Sequence, residues 1–232
     1  MKFLSIIIPA HNEEKNIEKT IRDIFLEVRN VEVIVVCNNC SDKTFYVVGK
    51  IENKNILNLD INKNIGKGGA ILEGLKYAKG EYIGYVDADG AFYVEDITRL
   101  VKELKDYDCV IGSKWINNSF FNVNEGFFKK IFGRIWNLFV NFLFNLKIRD
   151  SQAGMKFFRK EVLKKIDLKS FYCRGFDFDV ELLHKVKKKK FKIKEILVKI
   201  KNLDKKSSFS YKSVFFMFIN ILKYKFLKSK KV

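Results

Sequence analysis

Tyr82-Ile83-Gly84-Tyr85-Val86-Asp87-Ala88-Asp89-Gly90 is an apolar run that ends in two carboxylates one residue apart and a glycine. A run this short, rich in Tyr, Ile and Val, reads as a buried strand, Tyr82 to Asp87, with its acids at the carboxyl end. Runs of the same kind lie at Phe3 to Ile8, Glu32 to Cys37, Ile56 to Asp60 and Cys109 to Ser113. Between them, apolar side chains recur at helical spacing over Glu13 to Val28, Ser41 to Ile51, Gly68 to Ala78 and Val94 to Leu104. Strand and helix in alternation predict an α/β, Rossmann-like, mostly parallel sheet with helices on both faces. In such a sheet ligands gather at the carboxyl ends of the strands, here the loops Pro9 to Glu13, Cys37 to Asp42 and Asp87 to Ala91.

Composition agrees with a packed domain. Of 232 residues 47% are apolar and 15% aromatic, with one Pro, which excludes collagenous, mucin-like and mainly disordered chains. The formal charge is +18, and residues from Lys185 onward, with 17 Lys against Glu195 and Asp204, carry +15 of it. Basic residues interleaved with Phe, Ile and Leu suit an anionic membrane surface, whereas a nucleic-acid enzyme would more often charge its active domain. The expected partners therefore include an anionic membrane surface and no nucleic acid. Four cysteines and no leader-like segment at the start of the chain fit the reducing cytoplasm.

Phe127 to Leu146 reads as one long helix, followed later by a second apolar stretch, Val214 to Leu222. Gly133, Asn137, Asn141 and Asn145 recur every fourth residue and draw a small, polar stripe along the first. Its charge-free part, Ile135 to Leu146, rises about 18 Å at about 1.5 Å per residue, against about 30 Å of bilayer core. Neither segment can span. Both are expected either to lie in the interface or to pack as core helices.

Asp87 and Asp89 present hard oxygen ligands suited to Mg²⁺ or Mn²⁺ at a leaving diphosphate; a turn or capping role is the plainer alternative. Asn12-Glu13-Glu14 follows Pro9-Ala10-His11 at a strand-to-helix turn, where free backbone N–H groups could receive a base or phosphate. Asn64-Ile65-Gly66-Lys67-Gly68-Gly69 lacks Walker A spacing, but a Lys among glycines at a helix start suits a diphosphate. Cys37-Asn38-Asn39-Cys40 has redox spacing without a second pair or a His cluster, so packing and turn chemistry are expected of it. Asp177 and Asp179 read mainly as capping acids of a further helix, with Glu181 on the same helix face as Asp177.

Taken in order, Ile7-Ile8-Pro9-Ala10-His11-Asn12-Glu13-Glu14, Val35-Val36-Cys37-Asn38-Asn39-Cys40-Ser41-Asp42, the 64–70 turn and Val86-Asp87-Ala88-Asp89-Gly90 resemble the serial motifs of family 2 inverting glycosyltransferases with a GT-A fold. Ile111-Gly112-Ser113-Lys114, the stretch Ile148 to Phe158 and Phe176 to Leu183 are similar to the dolichyl-phosphate glucosyl- and mannosyltransferase subgroup, nearer the glucosyl branch. The resemblance implies a GT-A domain over 1–205, with 127–148 an amphipathic helix within it, and 206–232 a basic, apolar membrane-associating tail. It implies hexose transfer from a nucleotide sugar, UDP-glucose before GDP-mannose, to a polyprenyl phosphate. A saccharide hydroxyl is the alternative acceptor, and a non-catalytic basic module the alternative class. Pro9, Ala10, His11, Glu13 and Asn38 would hold the nucleotide, Asp87, Ala88 and Asp89 the diphosphate and metal. Lys114 stands where the subgroup usually has Arg; paired acids common in the subgroup are Cys37 and Asn38 here. A phosphate monoester has a second pKa near about 6 and is already an anionic nucleophile, so a strong base is not required. Arg134, Arg149, Gln152 and Arg174 are the candidate acceptor contacts, and Asp150 a base only for a hydroxyl acceptor. The protein is expected on the cytoplasmic face of a membrane.

Overall fold

The computed structural model describes residues 3–116, 126–201 and 211–228. Seven strands form one sheet: β1 Leu4–Ala10, β2 Val31–Asn38, β3 Ile56–Ile61, β4 Tyr82–Val86, β5 Cys109–Ser113, β6 Met155–Arg159 and β7 Ile193–Leu197, in the order β3-β2-β1-β4-β6-β5-β7. All neighbours are parallel except β6, which runs antiparallel between β4 and β5. The five expected strands are present, each within two residues of its expected ends; β6 and β7 add to them.

Side chains alternate across the strands, so each face buries its own set. On one face Ile6, Ile8, Val33 and Val35 pack with α1 (Ile17–Glu27), α2 (Thr44–Gly49) and α4 (Glu95–Glu103). On the other Ile7, Ile34, Val36 and Tyr85 pack with α3 (Gly66–Leu75), α5 (Phe127–Phe144), α6 (Lys160–Lys164), α7 (Phe178–Lys188) and α8 (Tyr211–Lys223). The first helix begins at Ile17 rather than Glu13, because Asn12, at φ 56, turns the chain and residues 13–16 form turns.

α5 is three-sided. Trp136, Val140 and Phe144, four residues apart, are buried in the core, where Trp136 meets Phe218 edge-on at 5.0 Å. Phe132, Ile135, Leu138 and Phe142 are exposed, Phe142 by 87%. The asparagine stripe grips the following chain: Asn137 donates to the carbonyls of Ile148 and Arg149 and accepts from Ser151 N, and Asn141 exchanges bonds with both ends of Ile148. Trp136 is therefore a core residue and not an interfacial anchor. Beyond the expected boundary at 205, which lies outside the described residues, α8 docks on this face through buried Met217 and Ile221, and the turn after it through Tyr224. His184 bonds the Tyr224 hydroxyl at 2.8 Å beneath the Phe144 ring. Among the described residues no helix is long and apolar enough to cross a membrane.

Candidate active site

The chain leaves β4 into a tightly held acid loop. Asp87 N donates to Gly154 O at 3.1 Å, tying the end of β4 to the start of β6. The Asp87 carboxylate takes the Lys67 ammonium at 2.5 Å, and Asp89 Oδ1 accepts Ala91 N at 3.0 Å. Gly90 sits at φ +68, a conformation that favours glycine, while Thr20 Oγ1 donates to Ala88 O beneath it. Lys201 N donates to Ala91 O, so the chain after β7 closes the loop from the other side. A dication here would find two half-buried carboxylates and, among the described residues, no cluster of three ligating side chains. That oxygen-only, incomplete donor set fits Mg²⁺ or Mn²⁺, which keep waters and take substrate phosphate oxygens as ligands.

At the ends of β1 and β2 the expected nucleotide residues come together. His11 Nδ1 bonds Asn38 O at 2.8 Å, and Asn38 Oδ1 accepts Ile65 N at 3.0 Å, linking this loop to the glycine-rich turn. Glu13 N donates to Thr44 Oγ1, and Asn12 Oδ1 accepts Ser41 N at 2.7 Å, so the loops of residues 9–13 and 37–44 brace each other. Pro9 and Ala10 close β1 below them. Cys37 and Cys40 are free thiols, and burial, helped by Cys40 and Asp60, pushes Cys37 up to about 12, far from a reactive thiolate.

The glycine-rich turn uses its first amides inside the protein. Gly68 N and Gly69 N donate to the carbonyls of Gly175 and Arg174 at 3.3 and 3.0 Å, so these helix-start amides are committed inside the protein. A Cβ on Gly66 would overlap Arg174 O, and one on Gly68 the Phe178 side chain, which explains the glycines as close packing against the 174–178 segment. The turn offers the site Lys67 alone. Burial works to discharge that ammonium, but the carboxylates of Asp87, Asp179 and Asp89 outweigh it and hold it above the ordinary lysine range. Arg174 lies exposed on the outer side of the same contact.

Asp179 is a buried network member rather than a capping acid, and Glu181 is buried two residues further on. Asp179 Oδ1 accepts Lys156 Nζ at 2.6 Å and the Tyr85 hydroxyl; Glu181 Oε2 accepts the amides of Tyr172 and Cys173. Asp177 Oδ1 accepts Gly175 N at 3.0 Å. Lys156 also donates to Ala153 O and is fully buried.

The loop of Asp150 to Gly154 carries the remaining candidates. Glu195 on β7 accepts both Arg149 N and Asp150 N, and Asp150 Oδ2 accepts Lys114 N at 3.3 Å. Burial pushes the Asp150 carboxyl up, against the pull of Lys114 and Lys156. Gln152 Nε2 is buried with no hydrogen-bond partner among the described residues. Arg134 lies over the Trp115 ring at 5.0 Å and, with Lys147 and Arg149, lines a groove of about 340 Å³ along α5. Lys156, Tyr85 and Glu195 are site-building residues to which sequence motifs give no role, whereas Asn137 and Asn141 are marked by their stripe but not by what they bind.

Acids at the end of a central strand, an antiparallel strand beside it and helices on both faces define a GT-A fold. Glucosyl-3-phosphoglycerate synthase from Mycobacterium tuberculosis, solved with Mn²⁺, uridine diphosphate and phosphoglyceric acid, is similar at TM-score 0.73 and 16% identity, over 98% of this chain and 80% of that one. The chain belongs to glycosyl transferase family 2, whose sequence model matches residues 5–167. Dolichyl-phosphate beta-glucosyltransferase ALG5D of Trichomonas vaginalis is 32% identical over 213 residues, 84% of this chain and 65% of its own length. The human dolichyl-phosphate beta-glucosyltransferase is 32% identical over 217 residues, 85% of this chain and 67% of its own. The chain thus spans about two thirds of the length of these relatives.

Proposed function

We propose that this chain transfers glucose from UDP-glucose to a polyprenyl phosphate, with inversion, at the surface of a membrane. The observation that carries the reading is the Asp87 N to Gly154 O bond, which sets the acid loop directly against the loop of Asp150, Gln152 and their cationic neighbours. Names of the relatives and the GT-A neighbours crystallised with Mn²⁺ and uridine diphosphate supply the substrate class.

In this reading His11, Glu13 and Asn38, with Pro9 and Ala10, receive the nucleotide, and Ala88 backs the diphosphate. Asp87 and Asp89 hold the dication, which when bound neutralises charge on the leaving diphosphate. Lys114, Arg134 and Arg149 gather and orient the acceptor phosphate, Gln152 supplies an amide donor, and Arg174 guards the outer side. Such an acceptor arrives already anionic, so most of the rate comes from positioning and charge stabilisation rather than from a base. Asp150 is tied to the Lys114 backbone and positions it; it would serve as base only for a saccharide hydroxyl acceptor. Exposed Leu138, Phe142, Phe215, Phe216, Phe226 and Leu227, bordered by Lys147, Lys223 and Lys225, form the face that rests on anionic lipid of the cytoplasmic leaflet.

A ligand that binds only the folded state raises its melting temperature by mass action. UDP with Mn²⁺ is expected to raise it, GDP with Mn²⁺ to leave it unchanged, and Asp89→Asn to abolish the UDP effect. A shift with GDP alone would move the donor to GDP-mannose, and no shift with either would remove the nucleotide-sugar reading.

A further inference from the structure

Lys67 occupies the carboxylate that the proposed metal needs. Its ammonium lies 2.5 Å from Asp87 Oδ1, on the first turn of α3, with only 14% of the side chain exposed. A monocation so close to one of two ligand carboxylates opposes a dication by direct repulsion. A second carboxylate lies near by. Asp179, 2% exposed, stands in the first turn of α7 next to Phe178, whose side chain packs against Gly68 beside Lys67, and is itself fixed by Lys156 at 2.6 Å and by the Tyr85 hydroxyl; its charge helps to hold Lys67 ionised. Anchored by two donors from β4 and β6, Asp179 cannot swing to the metal, whereas Lys67 has a flexible stem of four methylenes.

We propose that Lys67 is a resident counter-ion that holds Asp87 while no dication is bound and is handed to Asp179 when one arrives. The proposal rests on the assignment of Asp87 and Asp89 as metal ligands. Lys67 stays charged throughout, so no proton moves and nothing is transferred covalently. Asp87, Asp89 and Asp179 against Lys67 and Lys156 leave one net negative charge; a dication turns it to one positive, which the donor diphosphate then offsets. Asp179 is thus a positioning residue that acts on the metal through Lys67.

The test is a Mn²⁺ titration of the whole protein without nucleotide, read by the loss of the free-ion electron paramagnetic resonance signal. Lys67→Gln is expected to bind Mn²⁺ more tightly than wild type, by about threefold or more given the close charges, and Asp179→Asn to bind it several-fold more weakly. The decisive arm is the double variant: Asp179→Asn should change affinity less than about twofold in the Lys67→Gln background, because the effect runs through Lys67. Equal factors in both backgrounds, or unchanged affinity in Lys67→Gln, overturn the handover. Should Asp179→Asn fail to fold, Lys67→Gln is compared with Lys67→Arg: tighter binding for Gln alone supports it, equal binding overturns it. If wild type takes up no Mn²⁺ that Asp89→Asn removes, the metal assignment itself fails, and the inference with it.

Discussion

Gly154 has no room for a methyl group. A Cβ there would overlap Asp87 Oδ2 and touch the Phe92 ring, so the residue is glycine because the Asp87 carboxylate lies against its backbone. Gly154→Ala must push Asp87 aside, a strain of about 1–3 kcal/mol if it were all paid in stability. Asp87 is half-exposed and can turn instead. The expected outcome is a small fall in melting temperature with a large loss of transfer activity; wild-type activity in Gly154→Ala would show that Asp87 need not keep its place. Legibility at this scale was uneven. Asp87 and Asp89 stand out in the sequence because acids after an apolar strand are conspicuous, and Lys67 because glycines surround it. Lys156 and Asp179 do not, since a buried ion pair is defined by its partner, and these partners are 23 residues apart.

α5 shows why one pattern can carry two meanings. Its apolar cylinder is split between a core stripe at Trp136, Val140 and Phe144 and an exposed stripe through Ile135, Leu138 and Phe142, and hydropathy alone cannot distinguish them. The asparagine stripe was legible as polar and small, but what it grips, the chain from Ile148 to Ser151, became visible only once the chain turned back at Asn145 and Lys147, both at positive φ. β6 escaped for a related reason: Met155-Lys156-Phe157-Phe158-Arg159 lacks β-branched residues and buries a lysine, so it carries no strand signature. Its direction follows from α5, which returns the chain to the carboxyl end of β4. Leu138→Glu with Phe142→Glu should abolish sedimentation with liposomes containing anionic lipid and leave stability within about 0.5 kcal/mol, as for exposed positions. Wild type should sediment, less strongly in high salt. Equal sedimentation of wild type and variant would assign that face to another contact.

Across the whole molecule, the two faces of the sheet divide the work. The α1, α2 and α4 side is an apolar slab that sets the strand ends in register; the α3, α5 and α7 side carries Lys67, Asp179 and the asparagine stripe, and with them most of the chemistry. Strand and helix alternation through residue 113 made the parallel half of the sheet readable, because each unit is local; the antiparallel half depends on contacts across the intervening α5 and had no local sign. Of the basic excess after Lys185, Lys225 lies over the Phe144 ring of α5 at 5.2 Å, so part of that charge meets the apolar helix. Glucose transfer to a lipid phosphate is tested most directly by incubating the protein with UDP-[¹⁴C]glucose, Mn²⁺ and a short polyprenyl phosphate, extracting into organic solvent and determining the anomeric configuration of the product. A label that enters the organic phase as a β-linked glucosyl phosphate, and does so neither with Asp89→Asn nor without the acceptor, is the predicted result; an aqueous product formed only on saccharide acceptors, or an α-linked lipid product, would contradict the account.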